Sequence, residues 1–546
     1  MNSSLHSWRD SLAFFNSDLF RHVQMAELFP DSKTFADAIV KTDLTTVLQQ
    51  YEQELQIASE EGGEVDLHNF VDAHFTLPDS DNATSTLPCD DITTYIANMW
   101  DVLTRTPDTQ HKDSLIALAR PYIVPGGRFR EIYYWDSYFT AQGLVHAGRS
   151  DMAINMLENF VDILNEVGCI PNGNRAYYHS RSQPPILALF YNLLENQLSE
   201  KQRAYIIDGL KKEYAFWMQG ANKALSDGDK ALSDGDKAFS EDKAFSEDKA
   251  LSDRNKASSE TSRDHVKTRA ELRTVTMPCG AVLNRYFDPE PTPRPESYRE
   301  DIETANNINA DKGGFYQHIR AACESGWDFS SRWLENPQQL ESIRTTELLP
   351  IDLNALLASL EQTLSRVTEG KERAIYQDAL TSRKQAINTY LYSAKKGGYF
   401  DCHFPSMTQT SVVSAAMTVP LFVNIASDTQ AATVQHTLMN DLLKKGGVVT
   451  TTNTTSQQWD APNGWAPLQF FAAIGMANYG FNDDATEIMQ RFCTTVEDSF
   501  ANTGALLEKY NVCVPTETAG GGEYDVQLGF GWTNGVYSYF KNALKG

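Results

Sequence analysis

Hydrophobic positions recur at helical spacing through much of the chain. In SDMAINMLENFVDILNEVG, Met156, Leu157, Phe160, Leu164 and Val167 share one face, Ser150 and Asp151 suit the start, and Gly168 suits the stop. Pro184 and Pro185 open a second candidate, ILALFYNLLENQL, and Ser199 opens a third, KQRAYIIDGLKKEYAFWM. RAIYQDALTSRKQAINTYLYS, SVVSAAMTVPLFVNIAS and ATEIMQRFCTTVEDSFANTG extend the series. Alternating strand patterns are scarce, so the pattern predicts an all-α domain with its function gathered in loops.

One stretch breaks this pattern. From Lys223 the chain runs KALSDGDKALSDGDKAFSEDKAFSEDKALSDRNKASSE, a near-repeat of six or seven residues. That unit is far shorter than the roughly 20–50 residues a stackable repeat needs. It also carries too little apolar surface to offset the entropy of ordering. Residues 222–265 therefore read as a low-complexity charged insertion, disordered or partly helical, interrupting a domain spanning 91–546. Residues 1–90 read as an N-terminal helical and extended segment packed on that domain.

Composition narrows the partners. A formal net charge of −25 over 546 residues disfavours nucleic acid and anionic membranes. There is no run of eighteen apolar residues to span a bilayer. The N-terminus lacks the pattern of a secretory leader. Seven scattered cysteines without a CxxC pair argue against a disulfide framework and a zinc knuckle. These features together predict a cytoplasmic protein with reduced thiols. DSDNATSTLPCD begins like a calcium loop but has Thr84 where Gly is needed and Asp90 at its end. His179 and His403 are isolated, so neither a metal nor a cofactor is expected.

The loops carry the chemistry. PGGRFREIYYWDSYF (125–139), CIPNGNRAYYHSRSQPP (169–185), RPESYRED (294–301), SGWDFSSRW (325–333), QQWDAPNGWAP (457–467) and EKYNVCVPTETAGGGEYDVQLGFGWTNG (508–535) all mix aromatic rings with charged and amide side chains. A sugar offers C–H faces that lie against rings and hydroxyls that need fixed donors and acceptors. Carboxylates and guanidinium groups serve those hydroxyls through charge-assisted hydrogen bonds. Any one such loop suits a structural role, but several of one character point to a shared pocket.

PGGRFREIYYWDSY and QWDAPNGWAP resemble the two signature motifs of trehalases, the glycoside hydrolases that split α,α-trehalose into two glucose molecules. LFPDSKTFADA, IPNGNRAYYHSRSQPP, SGWDFSSRW and GGGEYDVQLGFGWTNGV are similar to that family too, so the resemblance spans nearly the whole chain apart from the repeat. It implies an (α/α)6 barrel with long catalytic loops at one end, and it points to the cytoplasmic bacterial form. By motif match it implies Asp328 as general acid and Glu508 as general base of an inverting single displacement. It implies Arg128, Phe129, Tyr133, Trp135, Asp136, Asn172, Arg181, Gln183, Arg294, Glu296, Gly326, Trp459 and Glu523 as substrate-binding residues. In inverting enzymes the two carboxyls stand roughly 6.5–9.5 Å apart with room for a water. A neighbouring cation suits an ionised Glu508, whereas Asp328 needs burial or another carboxylate to outweigh the arginines. Gly520–Gly522 fit a closing loop, with CVPTETA standing where the family has a link richer in Gly and Glu. The expected partner is a small-molecule substrate, trehalose, met by a monomer, with no nucleic acid and no membrane. Alternatives are a hydrolase of another α-glucoside or of trehalose 6-phosphate, and a non-catalytic trehalose sensor.

Overall fold

The computed structural model describes residues 8–78, 89, 91–108, 113–221, 268–308 and 311–545. The charged repeat and the calcium-like stretch, Cys89 apart, lie outside the described residues. Twelve helices alternate between an outer and an inner ring. In chain order they are α1 (Ile92–Leu103), α2 (Tyr134–His146), α3 (Ser150–Val167), α4 (Leu187–Leu194), α5 (Glu200–Trp217) and α6 (Ile351–Val367). They continue with α7 (Gly370–Ala386), α8 (Val419–Phe422), α9 (Asp428–Thr437), α10 (Ala466–Asn478), α11 (Asn482–Thr503) and α12 (Gly531–Ala543). The even-numbered helices touch in sequence, α2 to α4, α6, α8, α10 and α12, and α12 closes back on α2. This is an (α/α)6 barrel.

The two rings differ in sequence character for a physical reason. An outer helix has one wet face: α3 buries Met156, Leu157, Phe160, Leu164 and Val167 and ends at Gly168 in the left-handed conformation, φ +94°. Helix α5 is opened by a capping box in which Ser199 and Gln202 bond each other's backbone N–H groups. An inner helix has neighbours on all sides. Helix α2 is buried without a break from Tyr134 to Leu144, and α6 from Ile351 to Glu361.

The segment 411–427, expected as one helix, departs from expectation. Only Val419–Phe422 is α-helical, preceded by a 3-10 turn at Ala415–Thr418. Pro420 lacks the N–H that would bond one turn back, so a helix can begin beside it but not run through it.

The six connections from an outer to the next inner helix are all long, and described residues of five of them, 104–133, 168–186, 218–350, 438–465 and 504–530, converge on one end of the barrel. Two strands join the last two of these. β1 (Asn463–Trp465) pairs antiparallel with β2 (Lys509–Asn511), with Trp465 opposite Lys509. Gly464 is needed there, because a Cβ would stand 2.5 Å from Val512 Cγ1 and 2.8 Å from the Val448 carbonyl. Before the barrel, helices at Ser11–Phe15, Asp18–Met25, Ser32–Ala36, Leu44–Glu61 and Leu67–His74 form the N-terminal part. Phe14, Phe20, Phe35 and Phe75 pack ring against ring within it.

Candidate active site

The five converging loops line one shared cavity, whose empty space counted out to its mouth is about 770 Å³. Gly126 and Gly127, both at positive φ, make the turn that starts its first wall, with Gly126 and Phe129 exchanging backbone hydrogen bonds. A side chain at Gly127 would collide with Gln527, whose Oε1 accepts the Arg128 N–H at 2.8 Å. The turn points Arg128 and Phe129 inward, and Phe129 meets Tyr133, Tyr524 and Phe530 edge-on. Trp135 and Asp136 follow in the first turn of α2, where Gln183 Oε1 accepts the Trp135 N–H.

Arginines and carboxylates form the second wall. Arg181 donates to Asn172 Oδ1 at 2.6 Å and pairs with Glu296, while Asn172 donates to the Cys323 carbonyl. Arg294 is clamped by Asp301 and reaches Glu523 at 2.9 Å. Arg181 Nη1 and Glu296 Oε2 are buried without a hydrogen-bond partner among the described residues. One is a donor and the other an acceptor, a pair suited to a sugar's hydroxyls.

Tryptophans make the floor. Trp459 lies parallel to Trp465 at 3.9 Å and against Trp327 at 5.5 Å, with Trp135 at 5.8 Å. Gly326, at φ +74°, lets Trp135 lie close, since a Cβ would be 3.0 Å from the indole. Beneath them Asp460 accepts from Ser330 Oγ, from the Ser331 N–H and hydroxyl, and from the Thr451 and Thr455 hydroxyls. That carboxylate ties the loop carrying Asp328 to the loop carrying Trp459.

Asp328 and Glu508 both face the cavity. Removal from bulk water pushes the Asp328 carboxyl up to about 7; Arg294 opposes this and Glu523 adds to it. Burial thus outweighs the arginines, as its expected role demands. Glu508 departs from expectation, for burial raises its carboxyl too, although Lys509, Tyr524 and Arg128 oppose the rise. The leading cation beside it is Lys509 rather than an arginine. Tyr524 donates to Glu508 Oε1 at 2.9 Å, and Trp532 Nε1 donates to the Glu508 carbonyl at 2.9 Å. Asp136 is raised well above the usual carboxylate range, first by burial and then by repulsion from Glu508 and Asp328.

All fifteen residues named from the sequence line this cavity. So do Lys33, Tyr178, Ser297, Cys323, Trp465, Tyr524, Phe530 and Trp532. Six of these eight sit inside the aromatic and charged loops quoted above, and Lys33 lies in LFPDSKTFADA, quoted for the family resemblance, so those stretches were a usable signal; Cys323 has none. Among the described residues no group of three or more His, Cys, Asp or Glu is arranged to hold a metal ion.

Residues 27–544 match the family model described as Trehalase. The chain is 42% identical over 524 residues to the periplasmic trehalase of Salmonella paratyphi B, covering 95% of this chain and 84% of that one. The same figures hold for the periplasmic trehalase of Salmonella agona. Among solved structures, the neutral trehalase of Saccharomyces cerevisiae superposes with a TM-score of 0.58 at 25% identity, over 77% of this chain and 73% of that one. A mannosylglycerate hydrolase from Thermus thermophilus shares the fold, with a TM-score of 0.50 at 14% identity, over 82% of this chain and 99% of that one.

The names of the Salmonella relatives overturn the cytoplasmic location expected from the sequence. That expectation leaned on unpaired thiols, which are a poor compartment marker here. Cys169, Cys323, Cys402 and Cys493 are free but buried, and burial holds their thiols protonated and unreactive whatever the surrounding redox poise.

Proposed function

The chain belongs to the trehalase family, and from that premise we propose that its cavity performs trehalose hydrolysis with Asp328 as general acid and Glu508 as general base. The protein is a glycoside hydrolase that splits α,α-trehalose, a small-molecule sugar, into two glucose molecules. In this reading residues 1–90 seat on a catalytic domain of 91–546, and the protein works as a monomer. By the names of its relatives it acts in the periplasm.

The observation that carries the role assignment is a carboxyl in the cavity that keeps its proton to about pH 7, Asp328, in the same chamber as Glu508. Asp328 gives its proton to the glycosidic oxygen as the C1–O bond breaks. Glu508, ionised, takes a proton from a water that attacks C1 from the opposite face. The oxocarbenium-like charge that develops at C1 lies among carboxylates and aromatic faces. Arg128, Arg181, Arg294, Glu296 and Glu523 hold hydroxyls, and the tryptophan floor carries the C–H faces.

Trehalose 6-phosphate fits less well than the neutral sugar. The lining offers four cations, Lys33, Arg128, Arg181 and Arg294, against five carboxyls, Asp136, Glu296, Asp328, Glu508 and Glu523. Each cation already faces a carboxylate: Lys33 faces Asp37 and Glu131, Arg128 Asp31, Arg181 Glu296, and Arg294 Asp301 and Glu523. A phosphate dianion would have to displace those partners.

Proton NMR of the first turnovers on trehalose tests the mechanism. Inversion at one C1 releases one β-glucose and leaves the other glucose α. Two α-anomers at early times would exclude a single displacement.

A further inference from the structure

We propose that Lys509, next to the base, is a positioning residue that holds the general-acid loop in register through Gln458 and fastens the glycine segment 520–522 onto the loop that carries Gln458; this rests on the roles given above to Asp328 and Glu508.

Lys509 is fully buried at the start of β2. Its ammonium can only donate. It donates to Gln458 Oε1 at 2.7 Å and to the Gly521 carbonyl at 3.1 Å, over the Trp465 and Tyr524 rings. Gln458 Nε2 in turn donates to the Asp328 carbonyl at 2.6 Å. The polarity of this relay cannot reverse. The ammonium requires an acceptor from Gln458, and the Asp328 carbonyl requires a donor, so the amide has one permitted orientation. Removing the ammonium frees the amide to turn and releases the backbone of the acid.

The same lysine fixes the lid glycines. Gly521 and Gly522, at φ +79° and +92°, lie against this loop: a Cβ would stand 2.6 Å from the Ser456 carbonyl and 2.7 Å from Gln458 Oε1, respectively. Asn463 holds the Gly520 carbonyl at 2.6 Å, and the Gly522 N–H donates to the Ser456 carbonyl. The lid residue Glu523 follows at once and meets Arg294. Seating of the lid and placement of the acid therefore share one ammonium group.

The charge of Lys509 gives a readout that packing alone does not. The groups facing Glu508 are Lys509 beside it, Tyr524 and the Gln527 N–H from the lid side, Arg128 from the first loop, and Asp136 from α2. Lys509 is the foremost of those that favour the carboxylate, and it faces Asp328 as well.

The experiment compares Lys509→Met, Lys509→Arg, Gln458→Leu and the double variant Lys509→Met/Gln458→Leu in the full chain with trehalose. Lys509→Met should lower kcat by on the order of tenfold to a hundredfold with a smaller change in KM, and shift the acidic limb of kcat/KM to higher pH. Lys509→Arg should restore the limb. Gln458→Leu should lower kcat with the limb unmoved, and the double variant should lose little beyond Lys509→Met. Wild-type kcat in Gln458→Leu overturns the proposal, even if Lys509→Met fails to fold. So does an unmoved limb in Lys509→Met, or fully multiplicative losses in the double variant. If wild-type protein itself leaves trehalose uncut, the fault lies with the proposed function.

Discussion

Asp136, Asp328 and Glu508 share one chamber, where the charges of Glu508 and Asp328 both oppose ionisation of Asp136. Glu508 has the donors that stabilise an anion: Lys509 beside it, the Tyr524 hydroxyl and the Gln527 N–H. Burial raises both Asp136 and Asp328, Asp328 to about 7, and Asp136 is raised further by the charges of Glu508 and Asp328. Both are raised carboxyls facing one cavity, so the role of Asp328 needs a substrate that separates them. A fluoride leaving group needs no protonation. Asp328→Asn should lose trehalose turnover by roughly 10²–10⁴-fold yet retain most of its rate on α-glucosyl fluoride, whereas Glu508→Gln should lose both. Asp328→Asn equally impaired on both substrates would remove it as the acid. The sign of the pH dependence follows from the same groups. The acid works only while protonated, so kcat/KM of the wild type should fall as pH rises through about 7. The base works only while ionised, so the acidic limb lies above the ordinary 4.5 of a glutamate, in the direction burial moves it.

At the scale of elements, the barrel closes where α12 meets α2, and the closure is made by glycine. A Cβ on Gly535 would stand 2.1 Å from the Phe139 carbonyl, and one on Gly143 would stand 2.7 Å from the Gly535 Cα. Backbone cannot move aside as a flexible side chain can. Gly535→Ala should destabilise by about 1–3 kcal/mol or more, seen as a lower urea midpoint, while Gly504→Ala, which has open space around it, should cost only the strain of its left-handed backbone. Half of the inner ring, α2, α6 and α10, is also what the hydrophobic pattern hides, whereas α4 was read from it and α8 only as part of a longer helix. Helices α3, α5, α7 and α11 have a wet face, so their apolar residues recur at helical spacing, and the ends of α3 and the start of α5 are legible from Ser150, Gly168 and Ser199. Helices α2, α6 and α10 are packed on every side, the polar face vanishes, and the period vanishes with it. From periodicity alone only half a barrel is visible, and its closure is not, because closure depends on contacts between residues such as Gly143 and Gly535, far apart in the chain. The site was legible for a different reason. Loops that mix rings with charges are costly unless they meet around a ligand, so PGGRFREIYYWDSYF and its counterparts declared themselves, while Cys323 in an ordinary helix did not.

For the molecule as a whole, the N-terminal part and the barrel are joined by charge as well as by the Phe15–Tyr177 and Phe20–Tyr298 ring contacts. Lys33, which reaches the cavity wall, pairs with Asp37 at 2.6 Å and with Glu131 at 2.7 Å, and Arg175 lies 3.6 Å from each of those carboxylates. Tyr177 donates to Asp37 at 2.7 Å, and Tyr133 to Glu131 at 2.6 Å. Burial alone would raise the Asp37 carboxyl; Arg175, Lys33 and Tyr177 outweigh it and hold it down at about 2, against an ordinary 3.8. A carboxyl depressed on folding stabilises the fold above its unfolded value. That contribution is complete above about pH 4 and is lost as pH falls through 3.8 towards 2. Replacing Lys33 by Met leaves two buried carboxylates with Arg175 alone, an uncompensated charge that costs about 3–5 kcal/mol in comparable buried networks. Equilibrium urea unfolding of Lys33→Met at pH 7 should show that loss. At pH 3 the gap from wild type should narrow, because Asp37 in the variant is then protonated and no longer needs a cation. A gap that stays constant from pH 7 to pH 3 would mean that the lysine contributes by packing, and that the two parts of the molecule are not held together by this cluster of charges.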